Sequence, residues 1–244
     1  KNWIHVTKQN KFYEKGYGHL NFSEAVNEGY AEAKKICQSD RIAYDFVGKI
    51  DATTDLCTNY FKILSSEMNK DKKLVITCGI SKFIQNNKEI NIKPMKKFNL
   101  TGFNDIRLYR KDFFENIGGY PLIPSPDSAL LIKAINRDLK VKVIEKVFFK
   151  EPRMSGSKVG VWNGSKLKGE TMYTLGYHPL LILLNSMMNS FKLPPHYQFL
   201  PMLWGYLLSA IKSKEKISDI EIREYYGKKR LKEIIYNITG GNFV

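Results

Sequence analysis

The spacing of apolar and polar positions changes several times along the first part of the chain. Short runs of β-branched and aromatic residues predict buried strands, and apolar residues at three- and four-residue spacing predict amphipathic helices. The predicted strands are 3–7, 42–50, 73–78, 105–109 and 140–149, and the predicted helices are 23–36, capped by Ser23, 59–68, 111–116 and 128–137. Residues 81–100 alternate weakly and indicate an exposed hairpin or loop. Strands interleaved with helices predict an α/β fold with a mostly parallel sheet.

After residue 160 the pattern becomes helical. Two apolar segments, 179–193 and 199–211, precede a Lys-rich connector and a final helix that opens with a capping-box pattern from Ser218 to Glu221. We therefore expect an α/β domain over 1–160 and a helical extension over 161–244. No apolar run reaches the roughly 20 residues that cross a bilayer. Residues 1–12 lack the apolar core of a signal peptide, so a cytoplasmic location is expected.

The net positive charge of the chain favours negatively charged partners. Its 244 residues carry a formal net charge of +15, which attracts nucleic acid, anionic lipid headgroups or phosphorylated substrates alike. The basic residues are scattered and no nucleic-acid-binding signature accompanies them, so a solvated surface is expected and nucleic-acid binding is the weaker alternative. The cysteines at 37, 57 and 78 show no zinc or CxxC spacing and predict free thiols.

Carboxylates follow the predicted strand 42–50 directly. Asp51 comes after its last residue, with Thr53 and Asp55 close behind. The open edge of such a sheet is where α/β folds bind ligands. A magnesium or manganese ion on one or two carboxylates completes its shell with substrate phosphates, so the spacing suits a nucleotide-diphosphate donor. The alternative is that Asp51 and Asp55 cap the following turn.

A second carboxylate stands at the start of a predicted helix. Asp127 lies in the Pro-containing segment IPSPDS. A carboxylate held beside a substrate pocket can take a proton from an acceptor hydroxyl. The alternative is a helix-start Asp that is favoured by the helix dipole.

Together these segments resemble a known family. The ordered set comprises KIDATTDLCTNYFKIL, RLYRKDFFENIGGYPLIPSPDSALLIKAINRDLKVKVI, RMSGSKVG and LGYHPLLIL. It is similar to the family 2 glycosyltransferases with a GT-A fold, over the range from Trp3 to about Trp204. The resemblance implies a GT-A-like mixed sheet flanked by helices over 1–160.

The resemblance also assigns roles to individual residues. It implies that Asp51 opens the D-x-D motif that holds the metal and the nucleotide diphosphate, and that Asp127 is the catalytic base. Gly118, Gly119 and Tyr120 match the turn that shapes the donor-sugar and acceptor pocket.

Further positions match the donor side of the family, with departures. Asn27 matches a helix near the nucleotide, and Arg153 matches the segment that returns basic or metal-binding side chains to the diphosphate. The second carboxylate of the family motif is Thr53 here, so metal binding would be weak or would rest on Asp51 with either Asp55 or water. A histidine that family members often carry before the Arg has no counterpart, and Glu151 is a candidate substitute ligand.

The activity implied is inverting transfer of a sugar from a nucleotide-diphosphate donor to a hydroxyl of a glycan or polyprenyl-linked acceptor, assisted by Mg²⁺ or Mn²⁺. Family members begin with a strand, helix and strand that cradle the nucleoside, whereas this sequence matches from the third strand onward. A split or non-catalytic subunit that pairs with a partner chain at an open sheet edge is therefore an alternative.

The apolar segments after residue 179 leave two possibilities open. Polar residues of 179–193 fall on one helical stripe, and Trp204 and Tyr206 follow in the next segment among Lys-rich flanks. Such helices either cover the sheet of the same domain or lie in a membrane interface, at the inner face of the membrane.

Overall fold

A computed structural model describes residues 5–9, 18–52, 54–85, 88–91, 106–151, 160–192 and 196–239. The chain divides into two compact units, Lys1–Pro152 and Arg153–Val244. The domain border expected at 160 stays a prediction.

The first unit interleaves helices and strands. In chain order it contains α1 (Gly18–Ser39), β1 (Phe46–Lys49), β2 (Asp55–Leu56), α2 (Tyr60–Lys70), β3 (Leu74–Gln85), β4 (Lys88–Asn91), β5 (Arg107–Arg110), α3 (Lys111–Asn116), α4 (Pro126–Ile135) and β6 (Lys140–Glu151). The four predicted helices and the strands near 46, 74, 107 and 140 are therefore confirmed with shifted ends. The predicted strand 3–7 is wrong at residues 5–7, which have no regular structure, and its start lies outside the described residues.

Within the described residues, six strands form one mixed sheet. Its order is β1-β5-β3-β6-β2, with β4 paired to β3. The predicted α/β fold with a mixed sheet flanked by helices is confirmed, but the sheet is not mostly parallel, because only β3 and β6 run parallel among these pairs. Alternation of apolar and polar residues shows which side chains share a face of a strand, but it is the same for a parallel and an antiparallel neighbour. The sequence pattern therefore could not show the direction of the paired strands.

Each face of the sheet carries its own apolar cluster. Leu108 of β5 packs with Leu64 and Met68 of α2. The next residue, Tyr109, points to the opposite face and packs with residues of α3 and α4, and with part of α1. Full burial of side chains of this size stabilises the fold by about 1.5–3 kcal/mol each, so the apolar clusters on both faces stabilise the sheet.

Helix α1 begins earlier than its predicted cap. Ser23 lies inside the helix, is fully buried, and its hydroxyl has no hydrogen-bond partner among the described residues. One turn of helix precedes it, and within that turn Phe22 contacts the ring of Tyr120 edge-on. Tertiary packing of Phe22 thus extends the helix past the residue that local capping would favour.

Strand β1 is shorter than the apolar run that predicted it. It pairs with β5 over four positions, from Phe46 opposite Arg110 to Lys49 opposite Arg107. Beyond Arg110 the partner turns into α3, and the amide of Lys111 donates to the carbonyl of Asp45 at 2.9 Å. The ladder ends where its partner leaves the sheet.

The second unit is helical. It contains α5 (Val161–Thr174), α6 (Pro179–Lys192), a 3₁₀ turn (His196–Gln198), α7 (Phe199–Ile211), α8 (Ile220–Glu224), a π-helical turn (Tyr225–Lys229) and α9 (Arg230–Thr239). Asp219, not Ser218, caps α8, because its carboxylate accepts from the amide of Ile222 at 3.2 Å. None of the helices in the described part of the chain has the length and apolar character that a bilayer crossing needs.

Two glycines let α5 and α7 cross in close contact. A Cβ atom at Gly169 would lie 1.9 Å from the carbonyl oxygen of Met202, and one at Gly205 would lie 2.1 Å from that of Lys166. Both distances are far below contact distance, so any larger residue at either position would push the helices apart. The contact with α5 also determines which face of α7 is exposed to solvent.

Candidate functional site

The site is built at the end of β1, where two cationic side chains stand side by side. Lys49 of β1 lies directly opposite Arg107 of β5. Residues directly opposite in an antiparallel pair project to the same face of the sheet. This is the face that carries α1, α3 and α4, because Val47 and Tyr109 belong to its apolar cluster. Asp51 follows two residues after Lys49, at the edge where the sequence places it.

Asp51 makes an ion pair with Lys49. The Lys49 ammonium lies 3.3 Å from Oδ1 of Asp51, and the Lys49 side chain is only 9% exposed. The same ammonium sits 4.7 Å from the centre of the Phe22 ring. Lys49 was missed by the sequence reasoning, although a lysine on the buried phase of a strand, two residues before an acidic residue, is the signal that could have found it.

Asp127 occupies the first turn of α4. The helix starts at Pro126, after Ser125 in the left-handed region with φ of +56°. The hydroxyl of Tyr120 donates to Oδ1 of Asp127. Nη1 of Arg107 donates to the Asp127 carbonyl at 2.7 Å and lies 3.8 Å from Oδ1. Oδ2 has no hydrogen-bond partner among the described residues, and the side chain is 19% exposed. A carboxylate with one oxygen held and one open can accept a proton.

The environment of Asp127 is a buried polar cluster. Arg107 is 2% exposed, and a buried guanidinium needs a counter-charge nearby, which Asp127 supplies. Burial, and then the negative charge that Tyr109 and Asp127 can carry, raise the pKa of Tyr120. Burial likewise raises the pKa of Tyr109. Both phenols therefore stay protonated as donors, and Tyr109 lies 3.5 Å from the Tyr120 oxygen.

Arg107 and Tyr109 were also missed by the sequence reasoning. They lie in the strand RLYR at alternate positions, and the period of two puts them on one face. That alternation was visible in the sequence. Their burial was not, because α3 and α4 cover this face only in the folded chain.

A turn of two glycines positions Tyr120. Gly118 and Gly119 have φ of +82° and +81°, a region that costs side-chain-bearing residues energy. Nδ2 of Asn27 donates to the Tyr120 carbonyl at 2.8 Å, and Oδ1 of Asn27 accepts from its amide at 2.8 Å. A Cβ atom at Gly119 would lie 2.7 Å from that same Oδ1. Asn27 thus clamps the backbone of Tyr120 from α1.

These contacts join the acidic tip after β1 to Asp127 on one face of the sheet. Lys49 contacts both Asp51 and Phe22. Phe22 contacts Tyr120, with ring centres 5.8 Å apart, and Tyr120 donates to Asp127. The structure therefore brings Asp51, Asn27, Tyr120 and Asp127 into one continuous set.

Other predicted ligands do not join this set in the described residues. Asp55 lies in β2, where it pairs with Lys150 of β6 and is exposed. Thr53 and Arg153 lie outside the described residues, and so does the side chain of Glu151, the last residue of β6. Within the described part of the chain no three His, Cys, Asp or Glu side chains come together as a metal site. The metal set of Asp51, Asp55 and Glu151 stays a prediction.

Comparison with known proteins gives similarity to solved structures alone. No protein-family model matches the chain, and no curated protein matches it. Among solved structures, the chain is similar in fold to the crystal structure of GalNAc-T7 with UDP, GalNAc and Mn²⁺, with a TM-score of 0.40 and 11% sequence identity. The likeness covers 86% of this chain and 44% of that one, so this chain spans less than half the length of the structure it resembles.

Proposed function

We propose that the chain is an inverting glycosyltransferase that moves a sugar from a nucleotide-diphosphate donor to a hydroxyl of a glycan or polyprenyl-linked acceptor. The observation that carries the proposal is the placement of Asp127. One of its carboxylate oxygens accepts a hydrogen bond from Tyr120 while the other has no partner among the described residues, on the sheet face where Lys49 ends β1 and pairs with Asp51. The resemblance to family 2 glycosyltransferases supports the same roles. The proposed location is the cytoplasm, at the inner face of the membrane.

Asp127 is the base in this proposal. The acceptor oxygen attacks the anomeric carbon of the donor sugar, and the bond from that carbon to the phosphate oxygen breaks with its electron pair. The acceptor proton passes to the open oxygen of Asp127, and inversion follows from the single displacement. Tyr120 and Arg107 hold the carboxylate in place, and Asn27 holds Tyr120.

The donor diphosphate is assigned to the Asp51 side of the cluster. Negative charge builds up on the leaving diphosphate, and a positive group placed there stabilises the transition state. Lys49 forms an ion pair with Asp51 and is one candidate for this positive group, and Arg153 is a second. Gly118 and Gly119 shape the sugar pocket in this proposal.

A divalent cation belongs to the proposal through the resemblance alone. The cation would be held by Asp51, with Asp55 and Glu151 as further ligands and Thr53 within the motif. It would neutralise charge on the diphosphate. The described residues do not by themselves form such a site, so the roles given above are those of the chain's own side chains.

The test is release of nucleoside diphosphate from a panel of nucleotide sugars in the presence of glycan and polyprenyl-phosphate acceptors. We expect turnover with at least one donor and its loss in Asp51→Ala. Asp45→Ala is the matched control, because Asp45 is exposed on the same segment just before β1. If no donor is bound or turned over, or if both variants behave alike, the proposal is wrong.

A second candidate is a subunit that transfers sugar only with a partner chain. Strand β1 is at one end of the sheet order, and within the described residues its outer edge pairs with no strand. Such an edge accepts a further strand. In that case the chain alone would bind no nucleotide, and binding would appear on addition of a copurifying partner.

A further inference from the structure

Helix α7 of the second unit presents an apolar stripe to solvent. Leu200, Trp204, Leu207 and Ile211 recur every three or four residues, and each is between 51% and 75% exposed. The opposite side of the helix is buried against its neighbours through Met202, Gly205, Tyr206 and Ser209. The outward stripe is therefore not the core face of this helix. We call these four residues the α7 stripe.

Aromatic residues extend the apolar surface at the start of α7. Tyr197 lies in the turn just before the helix, three residues from Leu200. Its ring is 6.1 Å from that of Trp162 at the start of α5. Both side chains are about half exposed. Trp and Tyr are the residues that favour the boundary between water and lipid, because their rings are apolar and carry a polar group.

Helix α6 adds exposed apolar side chains to the same unit. Leu180, Leu183, Met187 and Met188 are each exposed by more than a third, and the first three recur at spacings of three and four residues. Scattered exposed apolar residues are ordinary on a soluble surface, but repeated stripes mark an interaction surface.

The charge of the unit suits an anionic partner. Between Arg153 and Val244 the chain has thirteen Lys and Arg against six Asp and Glu. Exposed lysines stand next to exposed apolar residues, as Lys168 does after Leu167 and Lys212 after Ile211. Lysines at such borders extend their charge to lipid phosphates while their stems lie along apolar surface.

We propose that the α7 stripe docks this chain on the surface of an anionic phospholipid bilayer. A helix of 13 residues is roughly 20 Å long, too short to cross a bilayer about 30 Å thick, so it lies in the plane of the interface. A second copy of the chain is the weaker occupant, because two equally basic surfaces would repel each other. This docking surface goes beyond the proposed sugar transfer and does not rest on it.

The test is cosedimentation of the full chain with vesicles of phosphatidylcholine containing an equal share of phosphatidylglycerol. We expect binding that weakens with added salt and is much lower on vesicles of phosphatidylcholine alone. Leu207→Glu and Trp204→Glu should each lower the partition coefficient about tenfold or more, because each removes an inserted apolar side chain. Both positions are exposed, so the fold is spared, and far-ultraviolet circular dichroism checks this.

The matched control is Ile220→Glu, which makes the same kind of change at an exposed apolar residue of α8. It should bind vesicles within about twofold of the unchanged chain. Equal binding by the stripe variants and the control would overturn the proposal. So would equal binding to neutral vesicles, or a dimer in solution that Leu207→Glu converts to a monomer, since a second copy would then cover the stripe.

Discussion

Replacing Asp127 with Asn separates a catalytic role of this residue from a structural one. The amide keeps an oxygen that can accept from Tyr120, so the hydrogen bond to Oδ1 can persist. It removes the negative charge beside Arg107 and the open oxygen that could take a proton. The substitution therefore changes the chemistry of the site while its shape stays the same.

The cost in stability follows from the burial of Arg107. Its guanidinium is 2% exposed and keeps its bond to the Asp127 carbonyl at 2.7 Å, while the ion pair at 3.8 Å is lost. Removing one partner of a fully buried ion pair costs about 3–5 kcal/mol, but this pair is wider than a hydrogen bond and the Asp127 side chain is 19% exposed. Because one strong bond to Arg107 remains, we expect the free energy of unfolding to fall by about 1–2 kcal/mol. The protein should stay folded.

The cost in turnover should be much larger if Asp127 is the base. Positioned proton transfer contributes roughly 100- to 10,000-fold to a rate, and an amide cannot supply it. The assay measures kcat for release of nucleoside diphosphate, alongside urea unfolding of the same preparations. Asp112→Asn is the matched control, because Asp112 is an exposed Asp in the first turn of α3. It should leave both quantities nearly unchanged.

Two outcomes would refute the reasoning. If kcat of Asp127→Asn stayed within about threefold of the unchanged chain, Asp127 would not be the base. If the free energy of unfolding did not change at all, Arg107 would not depend on this carboxylate, and the account of the buried cluster would be wrong.

Further predictions concern the clamp, the turn, the cation and pH. Asn27→Ala removes two hydrogen bonds of 2.8 Å and should lower the free energy of unfolding by about 2–3 kcal/mol in urea titrations; a loss below about 0.5 kcal/mol would contradict the clamp. Gly119→Ala should destabilise more than Gly118→Ala, since both have positive φ but only a Cβ at 119 meets the Asn27 side chain; equal thermal shifts would count against this. Chelation by EDTA should abolish sugar transfer and Mn²⁺ or Mg²⁺ should restore it; transfer that survives chelation would remove the cation from the proposal. The hydrogen bond from Lys34 lowers the pKa of Glu115. This contact therefore stabilises the fold above the unfolded pKa of Glu115, and the stabilisation is lost as pH falls through the lower folded pKa. Glu115→Gln should make the free energy of unfolding depend less on pH on the acid side, and an unchanged pH dependence would refute this role of Glu115.

Local signals along the chain were sufficient for the helices, and they singled out Asp127 without deciding its role. The helix α3 was placed correctly because Gly118 and Gly119 end its apolar pattern, and they do so in a conformation that suits glycine. The Pro-containing segment before α4 fits a catalytic base and a helix-start Asp alike, and only the family resemblance favours the base at Asp127. Such signals involve residues within a few positions of each other, and these interact in the same way in any fold that forms the element.

Contacts between distant residues account for what the pattern could not show. The direction of β5, inserted between β1 and β3, depends on which strands meet, and alternation of side chains is the same for either direction. The pairing of Lys49 with Arg107 joins residues far apart in sequence.

The candidate site depends both on local sequence signals and on contacts between residues far apart in the chain. Asp51 and Asp127 were each predicted to be site residues from the residues around them, but the same residues also fit a cap of a turn or helix. Burial of Arg107 and the clamp of Asn27 on Tyr120 exist only once α1, α3 and α4 cover the sheet. A carboxylate becomes a candidate base through the charges and donors packed around it, and three-dimensional packing sets those surroundings.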